Sequence, residues 1–444
     1  MNRLGRRAVS KIASGRRGAL VLGGDYRGLG IAQSLGRQGI PVWVLREPSG
    51  HRIATMSRYV QRSLIWPGSH DDDNVAFLLD LNHTHGLQDW LLFPTGDEMT
   101  AFVGMHHAQL SSQYCLTTPP WEVFRWAYDK RLTYRLASEI GVPTPLTVYP
   151  FTSETPYSGP YPAIVKPGVK LGLDRLSIEK AWRVEDSAEL AERFEEAATL
   201  HDPATLIVQE LIPGDGSNQF SFAALCTGGE PIVSLVALRR RQYPMDFGRS
   251  STFVETIDNP IVEALAMRII RRLRLSGLVE VEFKRDPRDG EYKLLDVNAR
   301  IWGWHTIGRR VGADFPLLQW QLATGQDVGA CRAPARLRWL RLSTDVAASV
   351  PAILGGELSV RSYLGTLVGR HERALFAADD MLPGMLDIPL AALQEAAVRM
   401  HRPDRQPISS HILARLRVQS PVQEAQIPAP ATPPDTGMSR PAPR

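Results

Sequence analysis

The most informative part of the 444-residue sequence is a pair of β-rich runs between residues 277 and 298. The turn DPRDGE separates LVEVEFK from YKLLDVN and contains an Asp-Gly pair typical of β-hairpins. Because side chains alternate along a strand, Glu280 and Glu282 share one face, and Asp296 and Asn298 share a face of the partner strand. The hairpin predicts that Glu282, Asp296 and Asn298 form one cluster of oxygen ligands.

Three hard oxygen donors without histidine or cysteine suit Mg²⁺ (or Mn²⁺), which binds through a few carboxylates together with substrate phosphates. Arg300 would point to the same side if the strand continued. It could then clamp a phosphate or a carboxylate through two parallel hydrogen bonds. An exposed sheet face with alternating charges is the other interpretation of this pattern, and the hairpin alone leaves both open.

The segment that begins at Gly18 has a different pattern. An apolar strand, GALVLGG, precedes the turn and helix DYRGLGIAQSLGRQG and a second strand, IPVWVL, which together predict a βαβ unit and a parallel sheet. A further short strand, WLLFP, ends at TGDEM, and ligands bind at the carboxyl ends of such strands. Thr95, Asp97 and Glu98 are therefore candidates for contacts with a substrate or for domain packing.

Four glycines follow the first strand, at Gly23, Gly24, Gly28 and Gly30. They lack the GxGxxG spacing of a dinucleotide site, so an NAD(P)-dependent oxidoreductase is a distant alternative. The backbone N–H groups of the turn could instead hold an anionic substrate at the helix N-terminus.

Composition argues against several other classes of protein. No run of about 20 uncharged apolar residues could span a membrane, and a net charge of +4 does not indicate nucleic-acid binding. Three well-separated cysteines argue against a disulfide framework and a Cys-based zinc site. We expect a cytoplasmic protein in which the basic residues 1–17 and the proline-rich residues 413–444 are disordered, because they bury too little apolar surface.

The carboxylate hairpin resembles that of ATP-grasp enzymes, in which an acidic residue on one strand and E-x-N on the next hold Mg²⁺-ATP. The sequence differs in having Asp296 where glutamate is usual. Further segments occur in the order that this resemblance implies, namely DKRLTYRLASEIGVPTP, YPAIVKP, IVQELIPG and LRRRQYPMDFG. By resemblance, the ATP ligands would be Lys130 and Lys166 at the phosphates, Glu210, Leu211 and Ile212 at the adenine, Asp215 (or Asn218) at the ribose, and Arg239 in a basic loop. Arg241 and Arg300 would be catalytic.

One family element is reduced. The glycine-rich lid that usually follows the second lysine is represented only by Gly168 and Gly172, with Lys170 between them, and Lys180 could supply a further cation. This departure keeps open a non-catalytic or regulatory ATP-binding protein.

Within the superfamily, the sequence is most similar to a biotin-carboxylase-related group of carboxylate–amine ligases. The resemblance implies an α/β Rossmann-like pre-ATP-grasp domain (residues 18–120) and an α+β ATP-grasp fold of two subdomains that clasp ATP (121–327). A helical C-terminal extension (328–412) precedes the tail. The implied activity uses Mg²⁺-ATP to activate a carboxylate as an acyl phosphate for attack by an amine, with carboxyphosphate or carbamoyl-phosphate chemistry as the alternative. The implied partners are ATP, a small carboxylate, a small amine and a possible homodimer partner.

Overall fold

The computed structural model describes residues 17–48, 50–67, 71–169, 176, 179–214, 216–243 and 250–389. The helices in these residues include α1 Tyr26–Arg37, α2 Asp71–His85, α3 Asp97–Met105, α4 His107–Leu110, α5 Trp121–Tyr128, α6 Lys130–Glu139, α7 Ser187–Leu200, α8 Pro260–Leu273, α9 Phe315–Ala323, α10 Leu342–Leu354 and α11 Val360–Leu367. The strands are β1 Ala19–Leu22, β2 Val42–Arg46, β3 Val60–Ile65, β4 Leu91–Pro94, β5 Cys115–Leu116, β6 Thr147–Val148, β7 Ala163–Pro167, β8 Trp182–Val184, β9 Leu206–Glu210, β10 Gln219–Thr227, β11 Glu230–Tyr243, β12 Ser250–Ile257, β13 Gly277–Arg285, β14 Tyr292–Asn298, β15 Cys331–Arg332, β16 Arg338–Leu340 and β17 Glu372–Arg373. No helix in this part of the chain is long and apolar enough to span a membrane.

The N-terminal unit is built on a five-stranded parallel sheet with the strand order β3-β2-β1-β4-β5. Its central strands are short, fully buried apolar runs, which is the pattern of a parallel sheet covered on both faces. The chain adds β2 and β3 on one side of β1 and then crosses to β4 on the other side. The predicted βαβ unit is confirmed, and the change of direction creates a crevice at the carboxyl ends of β1 and β4.

The second unit contains two sheets that face each other. The smaller sheet is antiparallel, with the order β6-β9-β7-β8. The larger sheet has the order β14-β13-β10-β11-β12-β16-β17, and β15 pairs with β11 at one end. The antiparallel α+β architecture predicted for this part of the chain is therefore present.

Strand β10 illustrates how the larger sheet is held between two cores. Phe222 and Ala224 pack with helices α5, α6 and α8 in one apolar cluster. Ala223 and Leu225 face the other way and join a cluster that includes the N-terminal sheet. This two-residue alternation lets one strand stabilise both layers, so that the N-terminal unit and the larger sheet share a core.

The segment after residue 328 is not the purely helical extension that the sequence predicted. Its strands β15, β16 and β17 join the larger sheet, and Trp339 of β16 is completely buried there. Such short strands are specified by their partners rather than by a periodic pattern of their own, so the local sequence gave no sign of them. Helices α10 and α11 and a helix over residues 381–389 complete the described part of the segment.

Candidate active site

A cleft of about 500 Å³ lies between the small sheet and the larger sheet. This volume falls within the range of about 300–1,000 Å³ that is usual for small-molecule sites. The cleft is lined by most of the residues predicted to bind a nucleotide or a metal: Lys130, Lys166, Glu210, Leu211, Ile212, Arg239, Glu282 and Asp296. The fold thus brings into one cavity side chains that are far apart in sequence.

The predicted hairpin contributes Glu282 and Asp296 to the lining of this cleft. Strands β13 and β14 pair with Glu282 opposite Asp296 and Glu280 opposite Asn298. The Asn298 amide nitrogen donates to Glu282 at 2.8 Å and to Glu280 at 3.2 Å. Burial, followed by repulsion from Glu282, raises the pKa of Glu280 to about 8. The hairpin therefore concentrates acidic groups at one end of the cleft, as its sequence predicted.

The donor set of the hairpin fits Mg²⁺ rather than zinc or another soft metal. Glu282 and Asp296 offer carboxylate oxygens and Asn298 offers an amide oxygen, which are the hard donors that Mg²⁺ binds. In the described part of the chain, no group of three or more His, Cys, Asp and Glu side chains is arranged to hold a metal ion. An ion at these three residues would accordingly take its remaining oxygens from phosphate or water.

Two cations neutralise the acidic hairpin. Lys130 Nζ lies 2.5 Å from Asp296 Oδ1, and Arg239 Nη2 donates to Glu282 at 2.8 Å. Burial opposes the charged form of Lys130, but the attraction of Asp296 prevails and raises the pKa of that lysine. Lys130 and Arg239 both line the cleft, so they are available to polyphosphate.

Two further lysines point into the same cleft. Lys166 on β7 donates to Gln209 at 2.7 Å and to Tyr134 at 3.2 Å. Lys284 on β13 donates to the backbone oxygens of Ile212 and Gly214 at 2.8 and 2.6 Å. Lys284 is not among the residues predicted from the sequence, although strand alternation places it on the same face as Glu280 and Glu282.

Arg300 connects the hairpin to the N-terminal unit. Its guanidinium donates to both carboxylate oxygens of Asp97, at 2.5 and 3.0 Å, and to Asn298 Oδ1 at 3.0 Å. Burial opposes its charge, but the attraction of Asp97 raises the pKa of Arg300 above its usual value. Arg300 therefore lies beside the predicted metal ligands, at the boundary between the two units.

A second cavity of about 310 Å³ lies on the other side of Asp97, at the carboxyl ends of β1, β2 and β4. Here the structure corrects the expectation that free N–H groups at the start of α1 hold an anion. The side chain of Asp25 already accepts hydrogen bonds from the backbone N–H groups of Arg27 and Gly28. A carboxylate in this position would repel a dinucleotide phosphate. The geometry of this turn therefore argues against an NAD(P)-dependent oxidoreductase.

A family model described as "ATP-grasp in the biosynthetic pathway with Ter operon" matches residues 202–342, which include the cleft strands β10, β11, β13 and β14. Residues 202–342 are therefore similar to an ATP-grasp domain. The predicted resemblance is thereby confirmed, and the ATP-grasp fold accounts for the two facing sheets.

Comparisons beyond the family model agree with this fold. The D-aspartate ligase of Enterococcus faecium (strain Aus0004) is 24% identical over 229 residues, which are 48% of this chain and 53% of that protein. An L-amino acid ligase from Bacillus licheniformis superposes with a TM-score of 0.55 at 16% identity, over 69% of this chain and 74% of that one.

A third similar protein is the biotin carboxylase domain dimer of Hydrogenobacter thermophilus 2-oxoglutarate carboxylase, in complex with MgADP, ADP and bicarbonate. It superposes with a TM-score of 0.56 at 16% identity, over 73% of this chain and 75% of that one. The structural likenesses concern the fold alone. This chain spans about half the length of the curated D-aspartate ligase that it matches.

Two residues of the ATP-grasp domain have surroundings that differ from the predictions. The first is Glu210, whose carboxylate accepts hydrogen bonds from the Leu146 backbone, Arg288 and Lys293, at 2.9, 2.7 and 3.2 Å. Burial opposes ionisation, but these donors prevail and lower the pKa of Glu210. The Glu210 side chain is thus engaged with the protein, and Glu210 lines the cleft together with Leu211 and Ile212.

The second is Arg241, which lies away from the cleft. A bulge in β11 pairs Arg239 with Val254 and Arg241 with Phe253, so that Arg240 is an extra residue. The bulge interrupts the alternation that would have kept Arg239 and Arg241 on one face. Arg241 is instead buried beneath α10, where it contacts Asp345, and its predicted catalytic role has no support in this geometry.

Some predictions fall on residues outside the described ranges. These are Asp215 at the ribose, the reduced lid with Lys170 and Gly172, the basic residues 1–16 and the proline-rich residues 413–444. Lys180, the further cation proposed near the lid, is described and lines the cleft.

Proposed function

We propose that this chain is a Mg²⁺-ATP-dependent carboxylate–amine ligase, which converts an acid to an acyl phosphate and transfers the acyl group to an amine. The observation that carries the proposal is the cleft in which Lys130 and Arg239 lie on the hairpin carboxylates while Arg300 lies beside Asn298. It combines cations for phosphate, oxygen donors for Mg²⁺ and a guanidinium for a substrate oxyanion. The name of the similar D-aspartate ligase supports the same reaction class.

The nucleotide would lie along the cleft with its base between apolar walls and its phosphates at the hairpin. Leu211 and Ile212 offer apolar surface for adenine, and Lys166 offers an ammonium group for the phosphates. Lys130 and Arg239 would exchange their carboxylate partners for phosphate oxygens. Mg²⁺ held by Glu282, Asp296 and Asn298 would supply positive charge that neutralises the phosphates.

The chemistry requires positioning and charge stabilisation rather than a protein nucleophile. A substrate carboxylate oxygen attacks the γ-phosphorus, and ADP leaves with the bridging oxygen. The amine nitrogen then attacks the acyl carbon, phosphate leaves with the electron pair of the broken C–O bond, and the amine loses a proton. Arg300 is positioned to hold the acyl phosphate, since its guanidinium lies between Asn298 and the N-terminal unit.

The test is Mg²⁺-dependent release of ADP and phosphate in the presence of pooled amino acids and small carboxylates. Release that requires both an acid and an amine, and that is lost in Glu282→Gln, supports the ligase. Glu291→Gln is the matched control, because it removes an exposed carboxylate from the turn of the same hairpin. Binding of ATP without turnover in any pool, bicarbonate included, would support a non-catalytic protein, and absence of ATP binding would refute the proposal.

A homodimer and a cytoplasmic location remain predictions for this chain. The biotin carboxylase domain named above is a dimer. Light scattering of the purified protein would measure the number of chains in the assembly.

A further inference from the structure

The cavity of about 310 Å³ in the N-terminal unit has no role in nucleotide binding as proposed above. It lies where the strand order changes direction, which is the usual ligand position in an open parallel sheet. Asp97 lines this cavity and also binds Arg300. The cavity therefore adjoins the reacting end of the ATP-grasp cleft.

Two of the charged groups in this cavity are neutralised within the protein. Asp25 binds Arg27 through contacts of 2.6 and 2.5 Å, and it also caps α1. Asp97 binds Arg300. Within this cavity, the carboxylates of Asp25 and Asp97 therefore already have a cation beside them.

Arg46 and Glu98 are different, since neither has an ion-pair partner among the described residues. Arg46 Nη1 donates only to the backbone oxygens of Glu47 and Pro48, and its buried Nε has no hydrogen-bond partner in the described part of the chain. Burial, with repulsion from Glu47 and Asp97, raises the pKa of Glu98 to about 7. A cation that binds beside such a carboxyl group stabilises its ionised form.

The strand order sets the positions of these two groups. Arg46 ends β2 and Glu98 follows β4, and both strands are neighbours of β1. Two strand spacings separate their backbones by about 10 Å. Side chains as long as arginine and glutamate can converge across that distance on one small molecule. Glu98 directly follows Asp97, whose carboxylate accepts hydrogen bonds from Arg300 of the ATP-grasp cleft boundary.

We propose that this cavity binds the amine substrate as a free amino acid, with the ammonium group at Glu98 and the carboxylate at Arg46. The proposal rests on the ligase function proposed above and specifies its acceptor. In this orientation the amino group points toward the acyl phosphate and the carboxylate points away from it. The acceptor carboxylate consequently stays free in the product.

The test is direct binding of amino acids to the full chain, measured by calorimetry with and without Mg²⁺ and a non-hydrolysable ATP analogue. The probes are the standard L-amino acids and D-aspartate, each compared with its N-acetyl derivative and its carboxamide. Loss of one charge-assisted hydrogen bond should weaken binding by about tenfold to a hundredfold. We expect N-acetylation of the ligand and Glu98→Gln to weaken binding in this way by removing the ammonium contact. Amidation of the ligand and Arg46→Gln should weaken binding by removing the carboxylate contact.

The controls separate this inference from the proposed function. Asp80→Asn removes an exposed carboxylate from the same unit and should leave amino-acid binding unchanged. ATP binding should be equal in all variants. Equal binding of N-acetyl amino acids, or unchanged affinity in Glu98→Gln, would overturn the ammonium site. Binding of ATP without binding of any amino acid would overturn this inference alone, whereas failure to bind ATP would overturn the ligase itself.

Discussion

Replacing Asp345 with alanine should destabilise the protein by about 3–5 kcal/mol, because it leaves the guanidinium of Arg241 buried without its charge partner. Asp345 is completely buried and the Arg241 side chain is only 7% exposed, so solvent cannot screen the loss. Arg241 donates to Asp345 at 2.8 and 2.9 Å, and the Thr252 hydroxyl donates to the same carboxylate at 2.8 Å. The change therefore removes three hydrogen bonds together with the charge pair.

Urea unfolding of the purified variants would measure this effect. The double variant Arg241→Met/Asp345→Leu removes both charges and replaces them with apolar side chains, so it should be considerably more stable than Asp345→Ala alone. The affinity for ATP should be the same in the double variant and the wild type, because Arg241 lies outside the cleft.

Either of two results would refute this reasoning. An Asp345→Ala protein as stable as the wild type would mean that the ion pair contributes nothing. A double variant that stays folded and binds ATP but loses turnover would restore the catalytic role that the sequence predicted for Arg241.

Three other changes test the cleft and its surroundings. Lys130→Met should weaken binding of Mg²⁺-ATP by about tenfold or more, because it removes a buried ammonium group from the phosphate end; calorimetry that finds unchanged affinity would contradict this. Arg300→Lys should lower kcat for ADP release by about tenfold or more, because an ammonium group cannot keep both hydrogen bonds to Asp97, and a change in KM alone would argue against it. Hydrogen bonding by Arg288 holds the pKa of Asp286 well below its unfolded value of 3.8, so this stabilisation is complete above that value and is lost as the pH falls through the lower folded value. The difference in urea midpoint between wild type and Arg288→Met should therefore stay constant at higher pH and shrink as the pH falls below about 4, and a difference that stayed constant down to about pH 2 would contradict the assignment.

The carboxylate hairpin could be predicted because its information is local. Two runs of alternating residues and one Asp-Gly turn determine which side chains share a face, and the structure pairs Glu282 with Asp296 accordingly. Lys284 was accessible to the same reasoning. Lysines such as Lys130 carry no local signal of their own, and only the order of the surrounding segments indicated them.

The errors arise where the structure depends on a partner that is distant in sequence. The bulge at Arg240 adds one residue to β11 without any compositional sign, and it directs Arg241 toward Asp345 instead of the cleft. Strand β16 is a strand because it pairs with β12. The Glu210 carboxylate accepts a hydrogen bond from Arg288 in the hairpin turn. None of these contacts follows from the residues on one side alone.

The charge distribution of the cleft suggests why substrate and metal would bind together. Lys130 neutralises Asp296, and Arg239 neutralises Glu282, so the hairpin can hold its carboxylates close together without strong repulsion. An ion that approached these carboxylates alone would have to compete with both cations. Polyphosphate that draws Lys130 and Arg239 toward itself frees the two carboxylates for Mg²⁺ at the same moment. The nucleotide and the ion would therefore bind more tightly together than either does alone, because each removes the electrostatic partner that hinders the other.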